Sequence, residues 1–299
     1  MYRAAVASLV LSGCAFDDHE EPTASQTSQH SEINNGISLN GISLNGISLN
    51  GISLNGISLN GISLNGISLN GISLNGISLN GISLNGTSLA EVVGSTWTAG
   101  LSNGGEVALR IDSATQGTGS NSDVGMYGIS IAGDNGWQPL CGLDGGAPIL
   151  AIAVPGTWNL ATATYSGSST QQTFACRGKT VAKCVEMGYK PWSGHADYLA
   201  ACTRLLRGDY CGDGHAYTVD GTTLNIYDNL GLQADTESWL SEGEWTPNGA
   251  RCVSSEGAPR YLLTPGNVPS CVSAGTVPTT SNCGDSFASG ALLVSELPD

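Results

Sequence analysis

The sequence predicts a mainly β fold with a small helical insert, a β-rich α+β class, stabilised by disulfides and preceded by a short β-solenoid of NGISL repeats. Three observations carry this expectation. Beyond residue 90, polar–apolar alternation recurs between clusters of glycine and asparagine. Helical periodicity is confined to residues 180–207. Eight cysteines, Cys141, Cys176, Cys184, Cys202, Cys211, Cys252, Cys271 and Cys283, all follow the repeat and form an even set. In an exported chain such a set means up to four disulfides, with about 105 connectivities open. None of them has C-x-x-C spacing or a zinc-finger histidine partner, so no metal site is expected.

The elements follow in chain order. Residues 1–13 read as an export signal, with Arg3 as the positive n-region and Ala4 to Leu11 as a brief apolar stretch. It ends in Leu11-Ser12-Gly13-Cys14, which resembles the lipobox of bacterial lipoproteins and implies Cys14 as the acylated anchor. No aspartate follows Cys14, which by the same resemblance points to the outer membrane, on its periplasmic or surface side. Residues 14–34 hold five acids and few apolar groups, too few to repay ordering, and read as a solvated tether.

Residues 35–89 are eleven uncharged pentapeptide units, the last a variant, Asn85 to Leu89. Ile and Leu lie two apart in each unit and would share one face of a short strand, with Asn-Gly as the corner. This resembles pentapeptide-repeat proteins, although they favour a small residue where Ile37 and Ile42 stand. A solenoid of this length would rise only about 13 Å. A flexible spacer and a self-stacking segment are the other two readings.

Residues 90–299 form the disulfide-bearing domain. Val107–Ile111, Met126–Ile131 and Ile149–Val154 read as strands, Thr180–Met187 and His195–Arg207 as helices. Gly208 stands as the C′ residue of the second helix, whose last turn carries Arg204 and Arg207. Asp220-Gly221 between two alternating segments, His215–Val219 and Thr222–Tyr227, predicts a hairpin.

Spaced blocks across about 137–252 then match one pattern. They include Phe174-Ala175-Cys176, Lys183-Cys184, Gly188-Tyr189-Lys190-Pro191-Trp192, Ala201-Cys202-Thr203-Arg204, Gly208-Asp209-Tyr210-Cys211-Gly212-Asp213-Gly214 and Gly249-Ala250-Arg251-Cys252. The pattern resembles the ADYC-domain family of exported proteins of myxobacteria and their relatives, with Gly208 in place of the signature alanine. The resemblance implies a shared fold and brings no activity with it.

A net charge of −15 excludes a nucleic-acid partner, which needs basic side chains to displace phosphate counterions. The partners that remain are the membrane, through the lipid anchor, and a protein or glycan of the envelope. No cofactor is expected: Gly178-Lys179-Thr180 lacks the glycine a phosphate loop needs at 173, and nucleophile-elbow and zinc-protease motifs are missing from the sequence. The densest polar cluster is Asp209, Asp213 and His215, with His195 upstream; it could assemble for acid–base work, or its aspartates could simply satisfy turn amides. Glu242 and Glu244, two apart, would share a strand face as paired carboxylates or as exposed polar groups. Six of ten basic residues fall between Arg177 and Arg207, a patch suited to an anionic partner or to local charge balance. The six tryptophans would serve core packing, with sugar stacking as the other use. Two functions follow: an envelope lipoprotein with a binding or structural role, or an exported hydrolase using His195, Asp209, Asp213 or His215.

Overall fold

The computed structural model describes residues 89–100, 106–133, 136–159, 162–168, 171–218, 221–263, 267–287 and 290–298, with three repeat segments at 53–54, 57–58 and 78–80. The export signal with Cys14, the tether and the remainder of the repeat, and with them the solenoid reading, lie outside the described residues. The fold is mainly β with a small helical portion.

Alternating sequence builds a first antiparallel sheet. Its strands are β1 (Thr96–Gly100), β2 (Glu106–Gln116), β3 (Gly125–Gly133), β4 (Gly136–Pro139), β5 (Ala151–Pro155) and β6 (Gln171–Cys176). The order is β6-β5-β3-β2-β1, with β4 also on β3 and repeat residues Ser78–Asn80 added beyond β6. Met126, Ile152, Val154 and Ala175 face the main core, and Leu109, Ile111, Tyr127, Ile129, Ile131 and Phe174 on the opposite face are buried too. A sheet buried on both faces accounts for the unbroken apolar run that sequence reading found at Ile149–Val154.

Two helices follow, α1 (Thr180–Glu186) and α2 (Ala196–Arg207). α2 buries Leu199, Leu205 and Leu206, each contributing roughly 1.5–3 kcal/mol by removal from water. It stops where expected: Gly208 adopts the left-handed conformation at φ 62°, and the Asp209 amide returns to the Arg204 carbonyl.

The second sheet comprises β7 (Asn225–Asp228), β8 (Leu240–Thr246), β9 (Gly249–Ser254), β10 (Thr279–Thr280) and β11 (Leu293–Leu297). Its order is β7-β11-β8-β9-β10, antiparallel except for β9 with β10. α2 lies against β8, β9 and β11, so one continuous core joins both sheets and both helices. The hairpin expected at Asp220-Gly221 falls partly on residues 219–220, which lie outside the described residues. Residues 215–218 carry no strand, and β7 pairs instead with β11, Asn225 facing Glu296. The eight cysteines do pair, as Cys141–Cys176, Cys184–Cys202, Cys211–Cys271 and Cys252–Cys283.

Glu242 and Glu244 depart from expectation in an instructive way. A bulge between Ser241 and Gly243 inserts Glu242 as an extra residue in β8. Neighbouring side chains shift faces across a bulge, so the two glutamates point to opposite sides of the sheet rather than sharing one. Neither is an exposed polar group. Glu242 enters the helix-packed core at zero exposure and meets Arg260, also fully buried. Arg260 Nε and Nη2 donate to its two oxygens at 2.7 and 2.9 Å. Tyr210 and Ser295 hydroxyls each donate to it at 2.6 Å, and Trp245 donates in turn to Ser295 at 2.8 Å. Arg260 also donates to the Leu205 and Leu206 carbonyls at the end of α2. Burial acts to raise the Glu242 carboxyl, yet the Arg260 charge and these hydrogen bonds hold it below its ordinary range.

Replacing Arg260 by Met should cost about 3–5 kcal/mol in reversible denaturant unfolding of the oxidised chain, because it strands a buried carboxylate. A loss under ~1 kcal/mol would count against the network as described. Since the folded Glu242 carboxyl titrates below its unfolded counterpart, its stabilisation should be present at neutral pH and disappear as pH falls through that depressed value. Melting of wild type and Glu242→Gln across the acid range reads this directly.

Candidate functional site

The four acid–base candidates from the sequence do not assemble. His195 begins α2 and rests edge-on to Tyr198, its Nδ1 3.2 Å from the Gly188 carbonyl. Asp209, Asp213 and His215 lie beyond the other end, roughly 18 Å away along twelve helical residues. Asp209 is fully buried and takes the Arg204 guanidinium at 2.5 Å and the Gly214 amide at 3.0 Å. Burial pushes its carboxyl up against the pull of Arg204 and Arg207. Asp213 is exposed and accepts the His215 amide at 2.9 Å, a turn contact.

The other features of the signature loop are structural as well. Tyr210 is bound to Glu242, and Cys211 is tied to Cys271. Gly212, at φ 67°, passes so close to the next turn that a Cβ would lie 1.9 Å from the Asn248 carbonyl oxygen. Half of the basic stretch is turned inward, while Arg177 is exposed and Lys179 and Lys183 are half-buried. Arg204, Arg207 and Lys190 are buried, Lys190 against Asp123, and Arg177 pairs with Glu186 at 2.7 Å. Burial lowers Arg207 to about 10.

The second sheet offers a different site. Its core face carries Ile226, Trp245, Leu293 and Ser295, while the opposite face carries Asn225, Tyr227, Ser241, Glu244 and Glu296. Residues 281–287 cross this outer face and enclose a cleft of about 460 Å³. The loop is fastened three times: by Cys252–Cys283, by the Gly284 amide to Glu244 at 3.0 Å, and by the Tyr227 hydroxyl to the Gly284 carbonyl at 3.3 Å. Glu244 also holds Arg251 at 2.8 Å. Tyr227, Trp239 and Phe287 line the cleft together with Asp235, Glu256, Asp285 and Glu296.

At its floor, Asn225 Nδ2 donates to Asp235 and to Glu296, both at 2.8 Å, so two carboxylates share one amide. Burial, together with the charge of Asp235, raises the Glu296 carboxyl above its ordinary value. Among the described residues, the one close group of metal-ligating types is Glu244 with Cys252 and Cys283. Those cysteines are joined as a disulfide and offer no thiolate, so the group does not suit a metal. Of the tryptophans, Trp158 and Trp245 are core residues and Trp137 and Trp192 are exposed.

The cleft has no local signal in the sequence because its residues come from five separated segments that only the pairing of β7 with β11, β11 with β8 and β8 with β9 unites. A family model for the ADYC domain matches residues 89–259, more than half of the chain, and the chain belongs to that family. No curated protein and no solved structure matches it. The outer loop and Glu296 fall beyond the matched span.

Because the folded Glu296 carboxyl titrates above its unfolded counterpart, its ionised form burdens the fold at neutral pH. Glu296→Gln should therefore melt higher than wild type at pH 7, with the difference vanishing as pH falls below the ordinary carboxylate range. A lower melting point at both pH values would contradict the assignment.

Proposed function

We propose that this ADYC-family chain is an exported envelope lipoprotein, anchored through Cys14, whose disulfide-braced domain is a binding module with its ligand site in the cleft on the second sheet. The observation that carries the reading is the cleft itself, a cavity with mixed aromatic and polar walls on a scaffold fixed by a buried ion pair and covalent bonds. Such concave, preformed sites with a few placed polar groups are where small ligands bind. Four disulfides support export, since an oxidising compartment sustains them. No helix among the described residues is long and apolar enough to cross a membrane, and the lipobox-like Leu11-Ser12-Gly13-Cys14 supplies an attachment of its own. Outer-membrane residence follows from the residue after Cys14, and the repeat of residues 35–89 would hold the domain away from the lipid. The hydrolase reading has less support, because α2 holds His195 apart from Asp209, Asp213 and His215.

Two measurements test the proposal on the full chain. Cys14→Ser should abolish incorporation of an alkyne-tagged fatty acid and move the protein from the membrane to the soluble fraction; persistent labelling overturns the anchor. The double variant His195→Ala/His215→Ala should stay folded and keep any ligand binding of the wild type. Hydrolysis of model ester, phosphate or glycoside substrates that vanishes in this variant would instead establish the enzyme.

A further inference from the structure

We infer that the cleft takes an organic cation, an ammonium or guanidinium group carried by a small molecule or a side chain. The inference deepens the binding reading above and rests on it. Four carboxylates line the cleft, Asp235, Glu256, Asp285 and Glu296, and among the described residues no lysine, arginine or histidine does. Arg251, held by the outward-facing Glu244, is not among the lining residues. Like charges confined to a half-enclosed space raise one another's energy, and a bound cation relieves all of them at once.

The walls decide which cation. A divalent metal ion needs several oxygens converging at 2.0–2.6 Å. Among the described residues, no three cleft carboxylates lie within the 4.8 Å spread that such convergence requires. Tyr227, Trp239 and Phe287 stand among the acids in the cleft lining, with Tyr227 and Phe287 edge to face at 6.0 Å. Aromatic faces attract diffuse, weakly hydrated cations, and a ring wall combined with carboxylates is the arrangement that recognises alkylammonium groups. With about 460 Å³ available, the cleft admits a group several times the size of a trimethylammonium.

The test uses the full-length oxidised protein in detergent and three probes followed by ligand-observed NMR: choline, its uncharged isostere 3,3-dimethylbutan-1-ol, and N-acetylglucosamine. Choline should bind, the isostere at least roughly tenfold more weakly, and added sodium chloride should weaken choline selectively. Trp239→Ala should weaken choline roughly tenfold. Because Asp235 and Glu296 also hold Asn225, a second variant guards against misfolding. Glu256→Gln/Asp285→Asn alters only exposed acids and should weaken choline by a similar factor with an unchanged melting temperature. Equal binding of choline and the isostere, or binding of N-acetylglucosamine alone, would overturn the cation while leaving the cleft a binding site. Failure of all three probes at tens of millimolar would overturn both.

Discussion

The architecture depends on one buried ion pair. Glu242 and Arg260 are both withdrawn fully from water, where an unmatched charge is intolerable, so every remaining lone pair and N–H must find a partner of fixed geometry. Those partners come from all over the domain: Tyr210 from the signature loop, Ser295 from β11, Leu205 and Leu206 carbonyls from the end of α2. The same arginine lies 5.7 Å from the Trp245 ring centroid. Helix, loop and sheet are therefore locked to one another by electrostatic demand as well as by apolar packing. This gives the family signature a physical content. Gly208 ends the helix, Asp209 anchors Arg204, Tyr210 completes the ion pair, Cys211 ties down the following turn and Gly212 permits a backbone crossing.

The cleft is the reverse side of the same device. The bulge that sends Glu242 inward leaves Ser241 and Glu244 outward, where one lines the cavity and the other fastens its outer loop. A single inserted residue thus sends one glutamate into the core and leaves the other outward to anchor the loop that shapes the site. The contrast between Glu242 and Glu296 is instructive. Both sit on adjacent strands and both are buried, but one faces an arginine and the other a second carboxylate. Burial raises both carboxyls, but the Arg260 charge and its hydrogen bonds overturn that rise at Glu242, whereas Asp235 adds to it at Glu296.

Local features of the fold were legible in the sequence. Strands β2, β3 and β5 follow from alternation or an apolar run, α2 from its apolar face and Gly208, and the disulfide content from an even cysteine count. What failed was non-local. Residues 225–228 take as partner β11, some seventy residues later, which no local signal announces. Equal spacing of Glu242 and Glu244 presumes an unbroken pleat, which the bulge removes. The cluster of His195, Asp209, Asp213 and His215 was close in sequence yet separated by the rigid length of a helix. The cleft had no local signal, since its acids and rings are scattered between Tyr227 and Glu296.

The position of β11 has a consequence for how the chain matures. It is the last strand of the described residues in chain order, yet it lies between β7 and β8 near the middle of the second sheet. A chain threaded outward from its N-terminus can close Cys141–Cys176 and Cys184–Cys202 early, because both partners of each bond emerge together. The second sheet has no such early route. Until residues 293–297 arrive, β7 and β8 lack their shared partner, Glu242 lacks Ser295, and the floor of the cleft lacks Glu296. Closure of the second sheet, and of the cleft on its outer face, therefore waits for the last strand of the described residues.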